Sequence, residues 1–258
     1  MKLLALDTSG MVASVAVWED DLIRGEYSMN DKKMHSQTIL PMVEQLRDQI
    51  GLEMESVDAI AIAKGPGSFT GLRIGSATVK GLAYALNKPI VSVPTLHALA
   101  HQLCGSEGLI CPILDARRNQ TYTGIYRYTD GERGAFPEQV ILRDQCAVSI
   151  GEIAQDLNAR GELVTFLGDG VPVFAVQLRD LMKVPYRLAP AHLNRQRAAA
   201  VAALAAEYCR KNMQAHDGRL VPEEGVIESA FDHAPEYLRL SQAERERKEH
   251  ADQENAPA

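Results

Sequence analysis

Unbroken apolar runs and apolar–polar alternation, punctuated by glycine turns, divide the chain into short strands and longer helices. Residues 3–7 (LLALD) stay apolar until Asp7, which predicts a buried strand closed by a turn at Thr8, Ser9 and Gly10. Residues 12–18 alternate well enough for a second strand and residues 22–29 for a third, a meander. Over residues 35–51, Ile39, Met42, Val43, Leu46 and Ile50 fall on one helical stripe. Pro41 suits only the first turn of that helix or a kink. A strand at 57–63, a glycine-rich turn, a helix at 71–86, a strand at 89–93 and a short helix at 95–103 follow.

The order then begins again. Residues 109–115 (LICPILD) repeat the apolar run that ends in an aspartate, here Asp115. A turn at 116–120, strands at 121–128 and 139–142, a helix at 150–159, a strand at 163–167, Gly168-Asp169-Gly170 and a helix at 173–182 complete the second round. Strand–strand–strand–helix–strand–glycine turn–helix therefore occurs twice, which predicts an α/β protein of two similar lobes with a cleft between them. The first lobe spans residues 1–105 and the second 106–190. An alanine-rich helix at 192–213, with Val201, Leu204, Ala205 and Tyr208 on one face, is expected to pack back onto the first lobe. Residues 214–240 form a less regular C-terminal extension, and the charged stretch 241–258 reads as a disordered tail or a frayed helix.

Composition narrows the function more than the fold. A chain of 258 residues, 46% of them apolar, can bury a sizeable core. Its net charge of −7 argues against a protein that binds nucleic acid on its own, because such affinity comes largely from Lys and Arg on phosphates. The four cysteines (104, 111, 146 and 209) lack metal-like spacing and read as buried reduced thiols. The N-terminus has no signal-peptide pattern and no run approaches a membrane span, so a cytoplasmic location is expected.

The stretch richest in candidate chemistry is KGPGSFTGLRIG, residues 64–75. A strand entering, a tight turn and a helix leaving can offer backbone N–H groups to an anion, or can form a rigid corner. It fails the P-loop template, and Gly65, Gly67 and Gly71 give GxGxxxG rather than the dinucleotide fingerprint. Gly65, Pro66, Gly67, Ser68, Phe69 and Thr70 therefore read as a structural corner, with Ser68 and Thr70 as helix caps. Asp7, Thr8 and Ser9, with Asp115 as counterpart, can face a cleft and hold a nucleotide, or Asp7 can simply cap its own turn. Arg117 and Arg118 suit an anion, a partner's carboxylates or solvent. His97 and His101 form an HxxxH pair, the geometry of a metal half-site, but no third ligand is near in sequence. No complete catalytic constellation is present.

LALDTS at 4–9, HSQTILP at 35–41, KGPGSFTGLRIG, VPTLHALA at 93–100, LDARRNQTY at 114–122 and PEYLR at 235–239 follow one another as in the TsaB (YeaZ) family. The chain resembles that family over residues 1–240. The resemblance implies the ASKHA (actin-like ATPase) fold, with two RNase H-like lobes. It implies a non-catalytic partner of TsaD, the subunit that transfers a threonylcarbamoyl group to adenosine 37 of tRNAs reading ANN codons. TsaD would be met as a heterodimer that TsaE joins, tRNA only through the complex, and a homodimer would form in isolation. No cofactor of its own is implied; ATP or ADP at a partner interface is the one nucleotide site left open. The runner-up is an independent ATPase, kinase or glycoprotease-like enzyme.

The same resemblance sets the TsaD metal histidines at Thr95 and Leu99, so His97 and His101 would point elsewhere on the helix and no metal is expected. It makes helices 35–50 and 71–86 the partner surface, through His35, Ile39, Met42, Val43, Leu46, Gly71, Leu72, Ile74, Gly75, Thr78 and Leu82. On that expectation, Gly75→Leu blocks association while the monomer stays folded.

Overall fold

A computed structural model describes residues 1–31, 35–130 and 136–239. The first lobe runs β1 (Lys2–Asp7), β2 (Val12–Glu19), β3 (Leu22–Asn30), α1 (His35–Ile50), β4 (Ala59–Gly65), α2 (Phe69–Leu86), β5 (Ile90–Pro94) and α3 (Thr95–His101). The second runs β6 (Leu109–Asp115), β7 (Gln120–Thr129), β8 (Glu138–Ser149), α4 (Ile150–Arg160), β9 (Val164–Leu167), α5 (Gly170–Leu181) and β10 (Tyr186–Leu188). Then come α6 (Ala198–Ala215) and β11 (Ile227–Glu228). The sheets have the orders β11-β5-β4-β1-β2-β3 and β10-β9-β6-β7-β8. In each lobe the first three strands pair antiparallel, and the first also pairs parallel with the fourth. The same order in both lobes is the ASKHA architecture.

Alternation along the central strands explains how the first sheet is covered on both faces. Leu4, Leu6, Ile60 and Ile62 face α1 and α2, meeting Ile39, Met42, Val43, Leu46, Val79 and Ala83. Leu3, Ala5, Ala59, Ala61 and Ala63 face α6 and meet Ala198, Val201, Ala202, Ala205 and Ala206. Alanine on both sides brings helix and sheet close together, which accounts for the alanine-rich composition of α6. The second sheet packs on α4 and α5 through Ile153, Leu157, Phe174 and Leu178. Its other face receives α3 through Leu96 and Leu99, with Leu103 just beyond the helix, so α3 is wedged between the lobes.

Several boundaries differ from the sequence reading. The helix expected at 192–213 begins only at Ala198, after a short turn at Ala191–Leu193. Its first N–H groups are capped from distant strands: Ser14 Oγ accepts from Ala198 N at 2.9 Å and Glu26 from Ala199 N at 3.1 Å. Strand β8 is far longer than 139–142, and α2 starts at Phe69 with Ser68 as the cap; Thr70 lies inside the helix. Pro41 sits in the interior of α1, on its exposed side, where the freed carbonyl can reach water. Cys104 is exposed and Cys146 half-buried; only Cys111 and Cys209 are buried. The stretch 241–258 lies outside the described residues.

Candidate functional site

The turn after β1 and the glycine corner before α2 grip each other. Thr8 Oγ1 donates to Gly71 O at 2.8 Å, and Ser68 N donates to Ser9 O at 2.7 Å. A Cβ on Gly67 would run into the Ser9 carbonyl, and one on Gly71 into the Thr8 carbonyl. Gly65 holds φ +127°, outside the range of ordinary side chains, and its space is filled by the carbonyl of Glu236. The corner is thus built for close backbone approach, and Ser68 Oγ caps Gly71 N at 3.3 Å.

Asp7 lies beneath this clamp, fully buried. Its Oδ1 accepts from Ser9 N at 2.9 Å and Ser9 Oγ at 2.6 Å. Burial pushes its carboxyl up to about 6, partly offset by the Ser9 hydrogen bonds. A folded pKa above the unfolded one means that the unfolded chain gives up its proton first as pH rises. Asp7 therefore costs stability progressively between about pH 4 and 6, reaching roughly 3 kcal/mol at neutrality. Asp7→Asn keeps the acceptor oxygen without the charge. The wild type should lose about that much stability relative to Asp7→Asn between pH 4 and 7, read by urea unfolding at each pH. A constant difference across that range would show that Asp7 is not buried as a charge.

Between the lobes lies a cleft of about 860 Å³. Its first-lobe wall includes Ser9, Gly10, Met11, His35, Ser68, Phe69 and Thr70; its second-lobe wall includes Asp115, Arg117, Arg118 and Asp169. Tyr237 and Arg239, from the C-terminal extension, complete it. Of the four candidate nucleotide residues, Ser9 and Asp115 line the cleft, whereas Asp7 and Thr8 are absorbed into the clamp. The Asp115 carboxylate accepts from the backbone N of Arg117 at 2.8 Å and pairs with the Arg117 guanidinium at 3.2 Å. Burial raises the Asp169 carboxyl. Arg117, Arg118 and Asn119 take φ values of 64°, 54° and 58°, three successive left-handed residues that each cost about 1–2 kcal/mol.

His97 and His101 bind the lobes together instead of lining the cleft. His97 Nε2 meets Asp144 Oδ1 at 2.9 Å, and His101 Nδ1 meets Tyr128 Oη at 2.9 Å. Burial lowers both imidazoles, His101 to about 4. Among the described residues no group of three or more His, Cys, Asp or Glu is placed to hold a metal.

The partner surface expected on α1 and α2 needs correction. Ile39, Met42, Val43, Leu46, Leu72, Gly71 and Gly75 are buried, because the sheet takes up the whole apolar stripe. His35 faces the cleft, its Nε2 2.8 Å from Gly10 O, and Ile74 also lines it. Thr78 and Leu82 are half-buried. A Cβ on Gly75 would meet Thr8 Oγ1 and Ile62, so Gly75→Leu would disrupt the lobe itself rather than spare the monomer. The outward face carries Leu40, Pro41, Arg73, Ala77, Gly81, Tyr84 and Ala85. Tyr84 is 69% exposed, and Phe231, 78% exposed, packs edge-on against it at 5.7 Å.

Sequence reasoning missed Tyr237 and Arg239 as cleft residues, although PEYLR had marked their stretch; nothing in local periodicity brings residue 239 beside residue 116. No described helix is long and apolar enough to cross a membrane.

The family model of TsaD, tRNA N6-adenosine threonylcarbamoyltransferase, matches residues 25–244. A structure from Pseudomonas aeruginosa named YeaZ superposes with a TM-score of 0.71 at 27% identity, covering 92% of this chain and 99% of that one. A second from that organism, described as an uncharacterized protein with similarity to peptidase YeaZ, gives 0.73 at 28% identity, with the same coverage. The Escherichia coli tRNA threonylcarbamoyladenosine biosynthesis protein TsaB is 34% identical over 129 residues, 49% of this chain and 55% of that protein. The Bacillus subtilis protein of the same name is 33% identical over 244 residues, 95% of this chain and 96% of its own length. With matching motifs, lobes and length, the chain belongs to the TsaB (YeaZ) family, within the wider group that the TsaD model describes.

Proposed function

We propose that this chain works in tRNA threonylcarbamoyladenosine formation as a scaffold subunit without chemistry of its own. It binds TsaD through the outward face of α1 and α2, and TsaE joins the pair. TsaD then modifies adenosine in tRNAs that reach the chain only as part of the complex. Alone, the chain pairs with itself by the same face. One observation carries this reading: the residues that look catalytic are spent on architecture. Asp7 is buried on Ser9 and the Thr8 hydroxyl is used on Gly71, while Tyr84 of α2 and Phe231 stay exposed against each other and Leu40 stays exposed on α1.

The test is reconstitution of threonylcarbamoyl transfer with the chain omitted, added back, or added back as Asp7→Asn. Omission should abolish product and the variant should restore it fully. Product formed at the normal rate without the chain, or none with Asp7→Asn, would overturn the scaffold role.

A second reading places ATP or ADP in the cleft at a partner interface. It is favoured by the first turn of α2 on the cleft wall, where the N–H groups of Phe69 and Thr70 come before Gly71 N, which Ser68 caps. Calorimetry with ATP, with and without TsaD, decides it: tight binding and turnover by the isolated chain would favour an enzyme instead.

A further inference from the structure

The chain passes between the lobes twice, at residues 102–108 and 189–197, and its C-terminal extension crosses a third time. The extension is fastened to the first lobe along its length. Lys80 Nζ donates to the carbonyls of Phe231 at 3.4 Å and His233 at 2.8 Å. Glu236 N donates to Lys64 O at 2.7 Å, and the two side chains pair at 3.5 Å. The Tyr237 ring lies 4.8 Å from that of Phe69, and Arg73 both covers Phe69 at 3.9 Å and donates to Tyr237 Oη at 3.3 Å. Two residues further on, Arg239 Nη1 reaches the second lobe, donating to the carbonyls of Ala116 and Arg117.

The two ends of this crossing differ in strength. The first-lobe end has a backbone hydrogen bond, an ion pair, an aromatic contact and lysine contacts to two carbonyls. Among the described residues, the second-lobe end rests on the Arg239 guanidinium. That guanidinium bonds the start of the turn in which Arg117, Arg118 and Asn119 are all left-handed. Such a backbone persists only where its surroundings hold it. A cation shared between two of its carbonyls, across the cleft mouth from its own anchor, ties the strained turn to the opposite lobe.

We propose that residues 229–239 are an interlobe latch, anchored on α2 and closed by Arg239 on the Ala116–Arg117 carbonyls. Letting go of that contact unties the cleft mouth, so that its walls can separate about α3, where the His97–Asp144 and His101–Tyr128 contacts still hold the lobes together. Because the anchor shares α2 with the outward face, Phe231 and Tyr84 place the latch within reach of whatever covers that face. The latch itself stands without the partner reading, since it acts within a single chain.

Hydrogen exchange read by mass spectrometry on the isolated full chain tests it. In Arg239→Ala, amides of both walls, residues 8–11 and 116–121, should exchange at least about fivefold faster, with β1, β4 and β6 still protected. Faster exchange confined to 116–121, or none, overturns the proposal, because Arg239 would then only cap its own turn. If Arg239→Ala loses protection throughout, Arg239→Met gives the same readout, since it keeps most of the side-chain bulk but removes the Nη1 donor to both carbonyls. An unchanged first-lobe wall in that variant overturns the latch equally.

Discussion

Gly71→Ala is expected to destabilise the chain by about 2–3 kcal/mol, although alanine is the better helix former. The added methyl would land on the Thr8 carbonyl, which is main chain and cannot swing aside. Making room would stretch two hydrogen bonds, the buried one from Thr8 Oγ1 to Gly71 O at 2.8 Å and the one from Ser68 N to Ser9 O at 2.7 Å. Gly81→Ala, further along the same helix, is the control. Nothing lies within 4 Å of its Cβ, so the ordinary gain of about 1 kcal/mol should appear. Urea unfolding of both variants separates propensity from packing. A neutral Gly71→Ala would mean that the corner and the turn do not clamp each other.

The two-lobed fold was legible because apolar runs ending in Asp7 and Asp115 open two rounds of the same element order. Periodicity says which residues share a face, and that sufficed for the sheets and most helices. It does not say what the face meets. Gly71 and Gly75 fit close approach by a partner helix as well as by a hairpin, and the structure assigns them to the hairpin. The start of α6 was illegible for a related reason: its caps, Ser14 and Glu26, come from β2 and β3. Strands β10 and β11, of three and two residues, are too short to show alternation. In the site, the residues with catalytic character were visible in the sequence, but whether they face solvent or each other was not. Asp7 shows the difference: the DTS motif suits a ligand or a turn equally, and burial on Ser9 decides for the turn.

Gly81→Arg should leave the monomer folded and weaken its pairing with TsaD by at least about 100-fold, or roughly 3 kcal/mol. Position 81 is exposed in α2, with open space where a side chain would go, so the lobe has no reason to resist the change. Its neighbours on the outward face are Ala77, Tyr84 and Ala85, small or aromatic groups that suit close helix packing. An arginine there would hold a partner helix away and would have to give up its water to enter the contact, at several kcal/mol before any pairing. Self-pairing by the same face should fail together with TsaD binding, so analytical ultracentrifugation of the variant, alone and mixed with TsaD, reads each in turn. Threonylcarbamoyl transfer should fall at limiting concentrations and recover when the variant is in large excess, because the defect is in assembly. Full affinity in Gly81→Arg would remove the interface from this face. Loss of affinity without loss of self-pairing would separate two surfaces that are here proposed to be one.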